Sequence, residues 1–213
     1  MIYVITLGFD EKFALRAIAR RGLKDGDRVW VILPQPVDER AERAFNHFYE
    51  ILSRMFNNLE IRNFKVEPRN LLQSLIQLCE ILSLKRDEKY ILILSGGFRA
   101  LILETLLAAT LLKLDAEVDV EFEDSSSIIS FPLLMNKSIE IVESEKIILE
   151  KLKEQPSNLS NLVKATGLNK TTLWRIIKNL ANRGYLKQDR NIYSLTDLGL
   201  IAVYISNFIR GSR

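Results

Sequence analysis

Residues 90–112 read YILILSGGFRALILETLLAATLL. An apolar run stops at Ser95, two glycines follow, and Phe98-Arg99 opens a second apolar run long enough for a helix. The four successive apolar residues Ile91 to Leu94 suit a strand covered on both faces, as in parallel sheets. Strand, tight turn and helix together form the repeating unit of an α/β fold.

The same grammar extends outward. Strands are predicted at 2–7 (IYVITL), 28–34 (RVWVILP, stopped by Pro34), 60–66 (EIRNFKV), 89–94 (KYILIL), 117–123 (EVDVEFE, with Val118, Val120 and Phe122 alternating) and 127–134 (SIISFPLL). Helices are predicted at 10–22, closed by Gly22, and at 38–56, 70–84 and 98–114. This alternation gives a doubly wound, mostly parallel Rossmann-like sheet. Ligands of such sheets lie beyond the carboxyl ends of the strands, near the point where strand order reverses. Two loops qualify: TLGFDEK after the first strand and SGGFR after the fourth.

Gly96-Gly97 lets the backbone approach a ligand closely and reach unusual φ and ψ. The unpaired amides of a helix's first turn attract anions, phosphates above all. Arg99 adds a permanent charge with five donors. The ligand chemistry implied is a phosphate, carried by a nucleotide. The same residues also fit a tight βα turn with Arg99 solvated, and locally both readings stand. The loop is neither G-x-G-x-x-G nor G-x-x-x-x-G-K-[ST], so neither a dinucleotide site nor a P-loop is supported.

Of the 213 residues, 47% are hydrophobic, enough for a packed core and against disorder. The most apolar window, Ala100 to Leu114, is broken by Glu104, Thr105 and Lys113, so no membrane span is expected. The start, MIYVITLGFDE, has no basic segment and no cleavage-type site, and the reading is a cytoplasmic protein. Cys79 is the only cysteine, expected as a small buried hydrophobe; His47 is the only histidine, expected half-exposed on a helix. A cysteine-based metal site and a Ser-His-Asp triad are both disfavoured, and no cofactor is expected.

Charge divides the chain. From Ser144 to Arg213 there are 12 Lys/Arg and 5 Asp/Glu, whereas the preceding residues hold 18 and 22. The basic back segment points to a polyanionic partner. Its pattern is helix (144–155), helix (158–168), helix (169–184, opened by Asn169 and closed by Gly184), two short strands (185–196) and a final helix (197–209), the order of a winged helix-turn-helix. In the third helix Leu173, Ile176, Ile177 and Leu180 form the inner stripe. Asn169, Lys170, Thr171, Thr172, Arg175 and Lys178 are candidate DNA contacts, joined by Lys187 and Arg190 at the wing tip. Trp174 fits either the edge of the core, which is favoured, or the sugar-phosphate backbone. These charges also fit an ordinary solvated face, or a protein-interaction module. The final helix carries Leu198, Ile201, Val203, Ile205 and Phe208, more than a three-helix core needs, and is expected to help join two copies. The domains are read as 1–134, a linker at 135–143, and 144–213.

The pair TLGF (6–9) and SGGFRAL (95–101) resembles the two signature loops of CARF domains, the CRISPR-associated Rossmann-fold family. With the winged helix behind it, the chain resembles archaeal CRISPR-associated CARF–winged-helix transcription factors along its whole length. The resemblance implies a homodimer that binds a cyclic oligoadenylate, most often cyclic tetra-adenylate, across the dimer axis. It also implies double-stranded promoter DNA as the partner of the C-terminal domain. Thr6, Leu7, Gly8 and Phe9 match the first loop; Ser95, Gly96, Gly97, Phe98 and Arg99 match the second. Phe98 stands where many relatives carry Met, which leaves open whether it packs inside or stacks on a base.

The expected function is a ligand-responsive transcriptional regulator, not an enzyme. The alternative is a metal-independent ring nuclease that degrades cyclic oligoadenylate, with Thr6 or Ser95 positioning the ribose hydroxyl and Arg99 or Lys12 stabilising charge. No general base is evident near those loops, where Asp10 and Glu11 read as helix N-terminal charges. A nucleotide-using metabolic enzyme lacks its fingerprints.

Overall fold

The structure is a computed structural model that describes residues 1–133 and 140–210, with side chains to Ser206. The chain divides into two compact units, 1–136 and 137–213. The sequence-predicted linker, 135–143, falls largely on residues outside those described, as does the last residue of the predicted 127–134 strand.

The first unit contains β1 (Ile2–Thr6), α1 (Lys12–Arg21), β2 (Arg28–Pro34), α2 (Glu39–Met55), β3 (Glu60–Val66), α3 (Leu71–Ser83), β4 (Tyr90–Ile93), α4 (Arg99–Leu111), β5 (Ala116–Glu121) and β6 (Ile128–Pro132). The sheet order is β3-β2-β1-β4-β5-β6. The first five strands run parallel and β6 is antiparallel to β5. The short β5–β6 connection is a turn, too short for the crossover that parallel pairing needs. Phe122 accordingly lies past the end of β5 and is exposed. The fold is Rossmann-like, as the strand–helix alternation predicts.

Tyr3, Ile5, Val29 and Val31 pack with α1 and α2, through Ala17, Ile18, Phe48 and Leu52. The alternate residues Ile2, Val4, Trp30 and Leu92 pack with α3 and α4, through Leu78, Leu82, Leu101 and Ala108. Both faces of the central strands are thus covered, which is why their sequences are continuously apolar. Cys79 is half-buried against this second layer. Gly22 ends α1 in the left-handed conformation at φ 71°.

β5 carries a different pattern. Arg21 grips Asp119 through Nε and Nη2 and reaches Glu117 through Nη1, while Arg16 and Arg20 hold Glu121. Asp119 and Glu121 are buried, and Ser130 on β6 donates to Asp119. The arginines of α1 therefore neutralise the carboxylate row on β5.

The second unit contains α5 (Glu143–Glu154), β7 (Ser157–Asn158), α6 (Leu159–Thr166), α7 (Lys170–Asn182), β8 (Leu186–Asp189), β9 (Ile192–Leu195) and α8 (Asp197–Arg210). The sheet order is β7-β9-β8. β7 is an addition to the sequence reading: two residues after Pro156 pair with β9 and make the wing three-stranded. Ile148, Leu149, Leu152, Leu162, Leu173, Ile177 and Leu180 are buried, and Ile176 is half-buried. Leu198 and Val203 of α8 also belong to the buried set. They help to close the winged helix, while Leu200 and Tyr204 of the same helix stay exposed. Ile201 is exposed, Ile205 half-buried, and Phe208 lies outside the described side chains.

Candidate functional site

β1 and β4 are neighbours in the sheet but far apart in the chain, and strand order reverses between them. Their following loops, 7–11 and 94–98, therefore emerge side by side at the carboxyl edge, the switch-point position for ligands in such sheets.

The glycines are explained first by each other. A Cβ on Gly8 would stand 2.8 Å from the Gly97 nitrogen. A Cβ on Gly96 would stand 3.2 Å from the Thr6 carbonyl oxygen, and one on Gly97 3.2 Å from that of Leu7. Gly97 is also left-handed, at φ 96°. The two loops thus interlock backbone to backbone. The Leu7 side chain lies in the core, so only its backbone belongs to the loop. The Thr6 hydroxyl is buried and has no hydrogen-bond partner among the described residues. Ser95 Oγ accepts from the Glu121 amide at 2.9 Å, which fastens the second loop to β5.

The two helix starts differ. Asp10 accepts from the Lys12 amide at 2.9 Å, so α1 carries its own anion. The N-cap of α4 is Phe98, with no side-chain cap and no acidic residue in the first turn. Its amides are open, and Arg99 is exposed with no side-chain partner among the described residues. Of the two helix starts, the one after the second loop has no carboxylate accepting from its amides.

Phe9 and Phe98 meet edge to face, with centroids 6.3 Å apart at 78°. Both stay substantially exposed, at 45% and 39%, so Phe98 does not pack inside. The Arg40 guanidinium lies 4.1 Å from the Phe9 ring centroid. A cavity of about 200 Å³ beside Phe98 is lined by Gln35, Pro36, Val37, Asp38, Pro68 and Arg69. Asp38 accepts from the backbone and side chain of Arg40, which holds its carboxyl below the usual range. His47 is exposed on α2, and its Nδ1 lies 2.7 Å from Glu11 Oε1. Arg40 and Arg69 belong to the segments after β2 and β3. No local motif marks them; only the strand order brings them to this edge.

In the second unit, Gly167 ends α6 at φ 69° and Asn169 caps α7 by accepting from the Thr172 amide at 2.8 Å. The Asn169 carbonyl oxygen is committed to that cap, and Thr172 is half-buried. Lys170, Thr171, Arg175 and Lys178 are exposed along α7. Lys187 is exposed on β8, and Arg190 at the hairpin turn is left-handed at φ 53°. Among the described residues Lys170, Arg175, Lys178, Lys187 and Arg190 have no carboxylate partner, whereas Arg16, Arg20, Arg21 and Arg28 of the first unit are paired. Trp174 stands among these cations, 50% exposed, with Lys178 Nζ 5.0 Å from its ring centroid. It does not pack on the core edge, because Leu173, Ile177 and Leu180 already fill that side. At the C-terminal end of α7, Arg183 donates to Glu145 Oε1 at 2.8 Å and to the Glu140 carbonyl, and stacks over Tyr185.

A Rossmann-like sheet with an uncapped helix start at its switch point, followed by a winged helix whose exposed cations lack carboxylate partners among the described residues, makes this a two-module protein. Residues 1–132 match the Csa3 CRISPR-associated Rossmann-like domain, and residues 137–207 match a winged helix-turn-helix family. The chain belongs to the family of CRISPR-associated proteins built from that Rossmann-like (CARF) domain and a winged helix. No curated protein matches it in sequence. Among solved structures it is similar to Can2 from Sulfobacillus thermosulfidooxidans in complex with cyclic tetra-adenylate (14% identity, 99% of this chain and 67% of that one, TM-score 0.45). It is also similar to VC1899 from Vibrio cholerae (12%, 95% and 64%, 0.47) and to the adhesin competence repressor AdcR from Streptococcus pyogenes (20%, 38% and 65%, 0.30). The chain spans about two thirds of the length of these three structures. Among the described residues no helix is long and apolar enough to cross a membrane.

Proposed function

We propose that the protein is a ligand-responsive transcriptional regulator of CRISPR-Cas loci. In this reading residues 1–134 form the sensing and dimerising part, and 144–213 bind promoter DNA. The ligand is a cyclic oligoadenylate, with cyclic tetra-adenylate the expected ring. The observation that carries the reading is the open start of α4, which offers its amides and Arg99 beside the interlocked glycine loops. In a homodimer a two-fold axis would duplicate that anion site, which suits a two-fold-symmetric, multiply charged ring. The exposed aromatic pair Phe9 and Phe98 supplies ring faces and edges for bases. The ring-nuclease alternative gains less support, because Lys12 faces Asp10, the Thr6 hydroxyl is buried and the Ser95 hydroxyl is engaged.

The test is titration calorimetry of the full chain with cyclic tetra-adenylate, then mass spectrometry of the recovered nucleotide and light scattering of the complex. Binding of one intact ring per two chains is expected. Absence of binding at tens of micromolar, or a monomeric complex, overturns the reading; a linearised product replaces the sensor with the nuclease.

A further inference from the structure

Trp174 is half exposed on a face of α7 shared with Lys170, Thr171, Arg175 and Lys178. The chain's other tryptophan, Trp30, is 1% exposed within the sheet core of the first unit. The contrast is informative, because leaving an indole in water forfeits the hydrophobic free energy its burial would supply. Large aromatics on otherwise solvated faces are the typical anchors of contact surfaces.

The surroundings narrow what covers it. α7 (KTTLWRIIKNLAN) contains no carboxylate. Lys170 lies one turn before the indole, Lys178 one turn after it and over its ring, and Arg175 beside it. The partner is therefore a polyanion that also presents something apolar. In duplex DNA the apolar feature open to a helix in the major groove is the thymine C5-methyl group. Trp174 is the fifth residue of α7, and the N-terminal half of a recognition helix is the part that reaches base edges.

We propose that Trp174 reads the methyl group of a thymine in the major groove, while the flanking lysines and arginine fix its register on the phosphates. The proposal rests on the winged helix binding duplex DNA, as read above. Lys178 is then a positioning residue as well as a phosphate contact, because its ammonium group lies against the indole.

The experiment begins by selecting duplexes from a randomised 20-base-pair library with the full-length protein. Each thymine of the best duplex is then replaced by uracil, which removes only the methyl group. One uracil is expected to weaken binding by about fourfold, the loss of one buried methyl. Trp174→Ala should bind more weakly and be indifferent to that uracil, with an unchanged salt slope. Lys178→Met should lower the slope by about 1. Trp174→Phe, the conservative variant, should keep part of the discrimination and guards against a folding artefact. Tryptophan fluorescence should change on complex formation, since Trp30 is shielded. If the duplex binds but every uracil is tolerated by the wild type, the proposal falls and DNA binding stands. If the library yields no bound duplex, DNA binding fails and the proposal with it.

Discussion

At Gly97 a left-handed φ of 96° coincides with a backbone neighbour 3.2 Å from the missing Cβ. Either alone disfavours a side chain. We predict that Gly97→Ala costs about 1–2 kcal/mol from the conformation alone, lowering the melting temperature by a few degrees in a scanning experiment, and also weakens ligand binding. Arg99, two residues on, should behave in the opposite way. It is exposed and unpaired among the described residues, so Arg99→Ala should leave the melting temperature unchanged. Charge-assisted hydrogen bonds from it to a phosphate of the proposed ligand would contribute about 1.5–3 kcal/mol. Affinity for cyclic tetra-adenylate in calorimetry should therefore fall roughly 10- to 150-fold. Arg99→Lys, which keeps the charge and loses the fork, should fall between. Unchanged affinity in both variants would reduce the Gly-Gly loop to a turn.

At the scale of elements, α1 and β5 are joined by the arginine–carboxylate row. Burial acts to raise the pKa of Asp119, but Arg21 and Ser130 outweigh it and the carboxyl titrates below its ordinary range. The same balance, with Arg16 and Arg20, lowers Glu121. Glu117 is lowered by Arg21 and Lys89. For each group the folded pKa lies under the unfolded one, so its stabilisation is complete above about pH 5 and is lost as pH falls through about 4 and below. Asp119→Asn strands the Arg21 contact and should cost about 2–3 kcal/mol at pH 7, since removing one partner of a buried pair is expensive and Arg21 is partly solvated. Thermal melts from pH 7 to pH 3 should show the gap between variant and wild type closing below pH 4; a constant gap would mean that Asp119 acts by shape alone. The helices and central strands were legible because Ile91 to Leu94 and the stripe Leu173, Ile177 and Leu180 carry their periodicity locally. The Gly8–Gly97 interlock was not, because it depends on two loops that only the strand order makes neighbours. Trp174 was misread for a related reason: its spacing fits a core edge, and only the packed positions of Leu173 and Ile177 show that the edge is taken. β7 carries too few residues for any pattern to announce it.

For the whole molecule, regulation requires that ligand and DNA alter each other's affinity. Typical coupling is about 1–3 kcal/mol, or 5- to 150-fold, and it must be reciprocal. We predict that cyclic tetra-adenylate binds with a different constant to the free protein and to protein saturated with its selected duplex. The ratio should equal the factor by which the ligand changes DNA affinity. Equal constants in the two titrations would leave the modules thermodynamically independent, with the ligand acting by recruitment instead. Arg183 gives such coupling a mechanical form. It ties the Glu140 carbonyl, on the segment entering the winged helix, to the C-terminal end of α7. A 13-residue helix is about 20 Å long. Because Leu173, Ile177 and Leu180 lock α7 into the winged-helix core, a shift passed through Arg183 would turn the winged helix as a body, with Lys170 and Trp174 toward the far tip of α7. A pivot of roughly 5° at Arg183 sweeps that tip by nearly 2 Å, enough to break hydrogen bonds whose length tolerance is a few tenths of an ångström.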